Sequence, residues 1–380
     1  MANATPSKSA PQAYVTPSPP AARSSALFAS SSSTKTTKPE AVGELYRFRV
    51  WHTALLLTLA FLLDIPFLID RLTTKQYTVH TKGGVLITGA STGIGRDAAV
   101  ALAIKHKGFV VYAGVRNGKD AKAISGLNIP NLLPVTLDVT NERSINSAKK
   151  IIMKDLASKG DVGGKEGGGG AAAAGLPLVA VVNNAGIAGR SPLEFHAMAA
   201  VEKIFHVNVF GLLRVTQVFL PEIRKNKGRI INISSVLGAL TIADMGAYSA
   251  SKHAMESLSD GLRRELRPLG VSVSIVQPGI VVSAIHDKVA SSSPATSSSD
   301  SSPSATTYPH MYTPEKQAEG KAFLQQAAST RVTTAAILDS LFNPRPRTRY
   351  PVAAVGPVPA GLLTFNAYFL PDRITDWMMQ

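Results

Sequence analysis

Val85 to Gly95 reads V-L-I-T-G-A-S-T-G-I-G, an apolar strand that runs into a glycine-rich turn, T-G-A-S-T-G-I-G at 88–95. Beyond it, Arg96 to Lys107 is helical in pattern. A strand, a glycine turn and a helix in that order let backbone come close to a pyrophosphate, which the helix N-terminus then attracts. Gly89, Gly93 and Gly95 are spaced G-x-x-x-G-x-G rather than G-x-G-x-x-G. Alone, such a pattern also fits an ordinary tight turn, so the surrounding chain has to decide.

Outward from this turn the chain alternates strand and helix. Phe109 to Ala113 and Leu133 to Leu137 read as the second and third strands, and Ser144 to Ser158 as a helix. Leu178 to Val182 is a fourth apolar run, Val201 to Leu220 a long helix, and Arg229 to Ser234 and Val271 to Val276 are later strands. A further helix is expected over Glu315 to Ala328. Apolar runs without alternation, separated by helices, imply a parallel sheet covered on both faces, a doubly wound α/β fold. Two low-complexity inserts interrupt the order, a glycine/alanine tract at 160–175 and a Ser/Pro-rich tract at 291–307, and both are expected to be disordered surface excursions.

Open parallel sheets bind ligands at the carboxyl ends of their strands. Four segments fall there. Besides Gly89, Gly93 and Gly95, the first turn contributes Ser91 and Ile94. Asp138 follows the third strand, where a carboxylate can accept from an adenine amino group. Asn184 and Gly186, in N-N-A-G at 183–186, follow the fourth. Pro278, Gly279, Val281 and Ser283 follow a late strand. The end of the second strand, Tyr112 to Asn117, contains no acid to accept from the ribose hydroxyls of NAD; Arg116 can instead meet a ribose phosphate with its fork. NADP(H) is therefore the expected cofactor, with NAD(H) as the alternative.

The reactive groups are expected between Ser235 and Lys252, S-V-L-G-A-L-T-I-A-D-M-G-A-Y-S-A-S-K. Tyr248 and Lys252, four residues apart, share one face of a helix, and Ser235 ends a strand-like run. With T-G-x-x-x-G-I-G, N-N-A-G and Asn208, these residues resemble the short-chain dehydrogenase/reductases. The resemblance covers about residues 80–380; R-Y-P-V at 349–352 and L-P-D-R at 370–373 look like the hydroxysteroid and retinol dehydrogenases within that family. It implies a single Rossmann-type catalytic domain in which hydride passes between substrate carbon and nicotinamide. Tyr248 would then move the proton at the substrate oxygen and Ser235 would hold that oxygen. Lys252 would lower the phenol's pKa and bind the nicotinamide ribose, and Asn208 would kink its helix and link the lysine to a water chain. A free tyrosine titrates near about pH 10, too high for an efficient base, and a nearby ammonium favours the phenolate. The family often carries threonine where Ser283 stands. His286 is a further pocket candidate. The resemblance also implies a homo-oligomer.

The rest of the chain bears on location. It has 380 residues, no cysteine and a net charge of +15. Disulfides, thiolate metal sites and cysteine nucleophiles are thereby excluded, and the eight histidines form no metal-binding motif. The positive charge is dispersed and comes without a nucleic-acid motif, so an anionic membrane surface is a better partner than nucleic acid. Residues 1–45 read as a disordered or targeting segment, since Glu40 is the first carboxylate after a Ser/Thr/Pro/Ala-rich start. Val50 to Ile69 has the length of a bilayer span and reads as a membrane-anchor helix, although Asp64 interrupts it at a cost of up to about 2.5–3.5 kcal/mol. The expected protein is a membrane-bound oxidoreductase acting on an apolar alcohol or carbonyl. The endoplasmic reticulum is the expected site, with plastid or mitochondrion as alternatives. The alternative function is a catalytically silent NADP(H)-binding scaffold or redox sensor.

Overall fold

Seven strands form one parallel sheet: β1 (Gly83–Thr88), β2 (Phe109–Val115), β3 (Leu132–Thr136), β4 (Leu178–Asn183), β5 (Arg229–Ile233), β6 (Ser272–Pro278) and β7 (Arg349–Val352). Their spatial order is β3-β2-β1-β4-β5-β6-β7. The computed structural model describes residues 75–159, 175–282, 303–370 and 374. The expected anchor at 50–69 and the targeting segment lie outside the described residues, as does nearly all of the glycine/alanine insert.

The order reverses direction between β1 and β4, which creates the crevice where doubly wound sheets take ligands. β1, β2, β4, β5 and β6 are buried along their whole length, which is why their sequences run apolar rather than alternating. On one face lie α1 (Gly93–Lys105), α2 (Gly118–Ser125) and α9 (Arg331–Phe342), which pack Ala99, Leu102, Ile124 and Ile337 against Val85, Ile87 and Val111. On the other lie α3 (Glu142–Ser158), α5 (Leu212–Lys225) and α6 (Gly246–Leu266), with Ile152, Phe219, Ile223 and Leu266 against Leu86 and Val181. Each such buried aliphatic or aromatic side chain contributes about 1.5–3 kcal/mol of transfer free energy. Asn117 and Asn141 start α2 and α3 by accepting from the backbone N–H groups of Asp120 and Ser144, the usual N-cap device.

The long helix expected over 201–220 is present within the helical stretch Met198–Lys225: α4 (Met198–Phe205) passes through a π-helical turn at His206–Gly211, which contains Asn208, before α5 continues. One expectation is corrected. The Ser/Pro-rich insert is ordered at its end, where Pro303–Thr307 forms the short helix α7. After it come α8 (Pro314–Gln325), a small ribbon of β8 (Ala354–Val355) and β9 (Val358–Pro359), and α10 (Ala360–Phe369). Among the described residues one helical stretch, Met198–Lys225, is long and apolar enough to cross a membrane. Its Val215, Phe219 and Ile223 are fully buried in the core against the sheet.

Candidate active site

Building from β1, the glycine turn is held by the neighbouring strand ends. Gly89 takes a φ of +63°, which a side chain would resist. A Cβ on Gly95 would collide with Asn184 Nδ2 and come within 2.6 Å of the Gly89 carbonyl oxygen. Asn184 Nδ2 donates to the carbonyls of Thr88 (2.9 Å) and Gly89 (3.0 Å). In return, Thr88 Oγ1 accepts from the backbone N–H groups of Asn184 (3.0 Å) and Ala185 (3.1 Å). The ends of β1 and β4 are therefore laced together, with Ser91, Gly93 and Ile94 half-buried at the start of α1. Arg116 is exposed immediately beyond β2. Asp138, half-buried after β3, accepts at Oδ1 from Thr140 N (2.8 Å) and Thr140 Oγ1 (2.7 Å).

Asn208 sits in the π-helical turn and is fully buried. Its Oδ1 accepts from Ile187 N (2.9 Å), and its Nδ2 donates to Ile187 O (2.9 Å) and Ser251 Oγ (3.0 Å). Ser251 Oγ donates in turn to the Tyr248 carbonyl at 2.7 Å. Asn208 thus ties the segment after β4 to α6, and the loosened helix lets its amide meet both groups of Ile187. A Cβ on Gly186 would lie 3.4 Å from Asn208 Oδ1 and 3.7 Å from Lys252 Nζ. Its absence keeps this corner open.

Tyr248 and Lys252 lie one turn apart on α6 and are 9% and 3% exposed. Lys252 Nζ donates to the Ile233 carbonyl at the end of β5 (2.9 Å) and lies 5.7 Å from the centroid of the Tyr248 ring. Ser235 caps a single 3-10 turn, Val236–Gly238, by accepting from Leu237 N (3.1 Å). Its hydroxyl also reaches Pro278 O at 3.5 Å and is near enough to the Tyr248 phenol to influence its titration. Pro278 is buried at the end of β6, and the backbone beyond it is pinned on two sides. Gly279 N donates to Val352 O (2.9 Å), and buried Val281 bridges to Ala328. Ser283 and His286 lie outside the described residues.

The electrostatics depart from expectation. Burial pushes the Tyr248 phenol up to about 12, and the influence that pulls it down is the Ser235 side chain. Burial likewise brings Lys252 down to about 8, opposed by the negative charge of Glu256. In the protein itself, desolvation therefore outweighs the benefit expected from the neighbouring ammonium. Sequence reasoning passed over four contributors to this corner: Thr88, Ser251, Glu256 and Gln277. Two of them carried a signal: Thr88 opens the T-G-A-S-T-G-I-G turn, and Glu256 lies four residues past Lys252 on the same helix face.

A family profile described as short chain dehydrogenase matches residues 169–293. The chain is 41% identical over 210 residues to a 3-amino-tetrahydro-pyrrolizinone reductase of Xenorhabdus hominickii, covering 55% of this chain and 65% of that protein. It is 34% identical over 208 residues to the uncharacterized oxidoreductase YbbO of Escherichia coli, covering 54% and 68% respectively. Retinol dehydrogenase 5 of Mus musculus is 33% identical over 196 residues, covering 51% and 55%. The chain spans about half to two thirds of the length of these curated relatives. A solved short-chain dehydrogenase from Streptomyces avermitilis superposes with a TM-score of 0.58 at 26% identity, over 79% of this chain and 97% of that one.

Proposed function

The chain belongs to the short-chain dehydrogenase/reductase family, and we propose that it is an NADP(H)-dependent oxidoreductase interconverting an alcohol with its ketone or aldehyde on an apolar substrate such as a steroid, retinoid or lipid. The observation that carries this reading is the grouping of buried Tyr248 and Lys252 with half-buried Ser235 at the carboxyl ends of β5 and β6. A dinucleotide suits the residues around it. The turn at 88–95 offers backbone and a helix N-terminus to a pyrophosphate. The open corner at Gly186 lies beside Lys252, whose ammonium has three donors and directs one to Ile233.

In this reading the bound nicotinamide supplies or accepts a hydride at the substrate carbon. Tyr248 gives the carbonyl oxygen its proton during reduction and takes it back during oxidation. Ser235 donates to the same oxygen and orients it toward the phenol. Lys252 holds the nicotinamide ribose hydroxyls, and Asn208 fixes the backbone at Ile187 that borders this corner. Gly89, Ser91, Gly93, Ile94, Gly95, Asp138, Asn184, Gly186, Pro278, Gly279, Val281 and, by its place in the sequence, Ser283 would complete the cofactor contacts. Burial raises the Tyr248 phenol to about 12, so it carries its proton at neutral pH and is in the form that protonates a carbonyl oxygen during reduction. The test is oxidation of NADPH by purified full-length protein against a panel of lipophilic ketones and aldehydes. Tight NADPH binding with no turnover anywhere in the panel would favour a silent scaffold or redox sensor instead.

Arg116 is the residue proposed to select the phosphorylated cofactor. Arg116→Ser is expected to raise KM for NADPH by about tenfold or more, through loss of a charge-assisted fork, while KM for NADH stays within about threefold. Steady-state kinetics with both cofactors reads the difference, and an equal change in the two would remove Arg116 from this role. The reading extends to residues 80–380 as the catalytic domain, to residues 50–69 as a membrane anchor, and to the endoplasmic reticulum as the location, with plastid or mitochondrion as alternatives. A fluorescent fusion of residues 1–80 reports the address.

A further inference from the structure

Tyr248, Lys252 and Glu256 follow one another at four-residue intervals on α6, and all three are buried. The two carboxylate oxygens of Glu256 go separate ways. Oε1 accepts from Gln277 Nε2 in β6 at 3.1 Å, and Oε2 accepts from Arg349 Nε in β7 at 3.0 Å. Arg349 also donates to Asp260 at 3.0 Å, and Asp260 pairs with Arg263 at 3.3 Å. On its remaining side Glu256 lies against the turn capped by Ser235. A Cβ on Gly238 would come 3.0 Å from Glu256 Cγ and 3.2 Å from Oε1. Gln277 immediately precedes Pro278, the residue whose carbonyl Ser235 reaches. One carboxylate therefore touches the turn and the strand that border the site and stands one helical turn from its lysine.

Packing alone does not call for a charge here, because a buried carboxylate is costly unless cations meet it. Arg349 from β7 meets it directly, and Lys252 stands one turn away on the same helix with its ammonium bonded to the Ile233 carbonyl. We propose that Glu256 is a positioning residue: its carboxylate holds Lys252 as the ammonium and braces the turn that carries Ser235. The inference rests on the reading of Lys252 as the residue that holds the cofactor ribose. The groups facing Glu256 are Lys252, Asp260, Arg349 and, from α10, Tyr368, whose hydroxyl feels Arg349, Glu256 and Asp260. Those facing Lys252 are Tyr248 and Glu256. Burial works against the ammonium of Lys252, and Glu256 is the charge that opposes it. Removing that charge therefore moves the loss of the lysine proton to lower pH.

The test uses full-length protein with 13C-labelled lysine. The Cε resonance of Lys252, assigned by its absence in Lys252→Arg, is followed against pH alongside NADPH affinity measured by fluorescence. In Glu256→Gln the Lys252 midpoint is expected to fall by about one pH unit, a tenfold weaker hold on the proton. The alkaline loss of NADPH affinity is expected to move down with it. Arg349→Met takes away the competing cation and is expected to move the midpoint upward, whereas the downward shift of Glu256→Gln is the one that general loosening of the fold, which would return water to Lys252, would not produce. If Glu256→Gln does not fold, Glu256→Asp, which keeps a carboxylate but draws it back from Lys252, decides the matter by a smaller shift in the same downward direction. A midpoint that stays within about 0.2 pH units in the folded variants overturns the inference. A midpoint that moves while NADPH affinity ignores pH leaves Glu256 in its role and removes Lys252 from the cofactor.

Discussion

A Tyr248→Phe variant is expected to lose about 10²–10⁴-fold in kcat for carbonyl reduction, the usual contribution of a positioned proton donor. Its affinity for NADPH should stay within about threefold, because the lost hydroxyl belongs to the chemistry and not to the hold on the cofactor. The fold should tolerate the change. The ring stays in its buried seat on α6, and only the hydroxyl is removed. Single-turnover kinetics with preloaded NADPH separates the two effects. A variant that keeps more than about a tenth of wild-type kcat would mean that the proton comes from elsewhere.

Lys252→Met is expected to act on both quantities. NADPH affinity should fall by about tenfold or more with the loss of a charged donor, and kcat should drop by about 10²-fold as the nicotinamide loses its alignment. The wild-type protein should show a related pH dependence. Lys252 gives up its proton as pH rises through about 8, so the ammonium is complete below that range and NADPH affinity declines above it. In Lys252→Met that alkaline limb should vanish, which fluorescence titrations across pH can read. The same variant leaves the Ile233 carbonyl without its donor and Glu256 with one cation fewer, so a lowered Tm should accompany the kinetic loss.

The parts of this site that were legible in the sequence are local ones. A glycine turn between strand and helix, and a Tyr-x-x-x-Lys pair on one helix face, are fixed by spacing within a few residues, and the buried strands announce themselves as unbroken apolar runs. The doubly wound sheet followed from the same runs. What escaped the sequence depends on chain segments far apart. The short helix Gly118–Ser125 buries little beyond Ile124, so it has no strong apolar period. β7 contains Pro351, which argues against a strand, yet it lies at the sheet edge where a missing N–H is tolerated. The resemblance implied an irregular helix at Asn208, but not the bonds that Asn208 makes to Ile187, a partner 21 residues away.

The electrostatic expectation failed for a related reason. Spacing sets a lysine one turn from a tyrosine, but it does not say how much water either retains. Buried together, both groups shift toward their neutral forms, and the charge that offsets this for Lys252 comes from Glu256. Glu256 in turn is oriented by Gln277 and Arg349, on two strands beyond the helix. The pair is visible in the sequence; its environment is a product of the fold.

The most direct measurement supplies the purified full-length protein with NADPH deuterated at both C4 positions and a lipophilic ketone or aldehyde that it reduces, and weighs the alcohol formed. Deuterium on the new carbinol carbon, appearing in step with loss of the nicotinamide absorbance and abolished in Tyr248→Phe, is the expected result. A folded protein that binds NADPH but forms no alcohol, or forms alcohol without the label, would contradict the proposed hydride transfer.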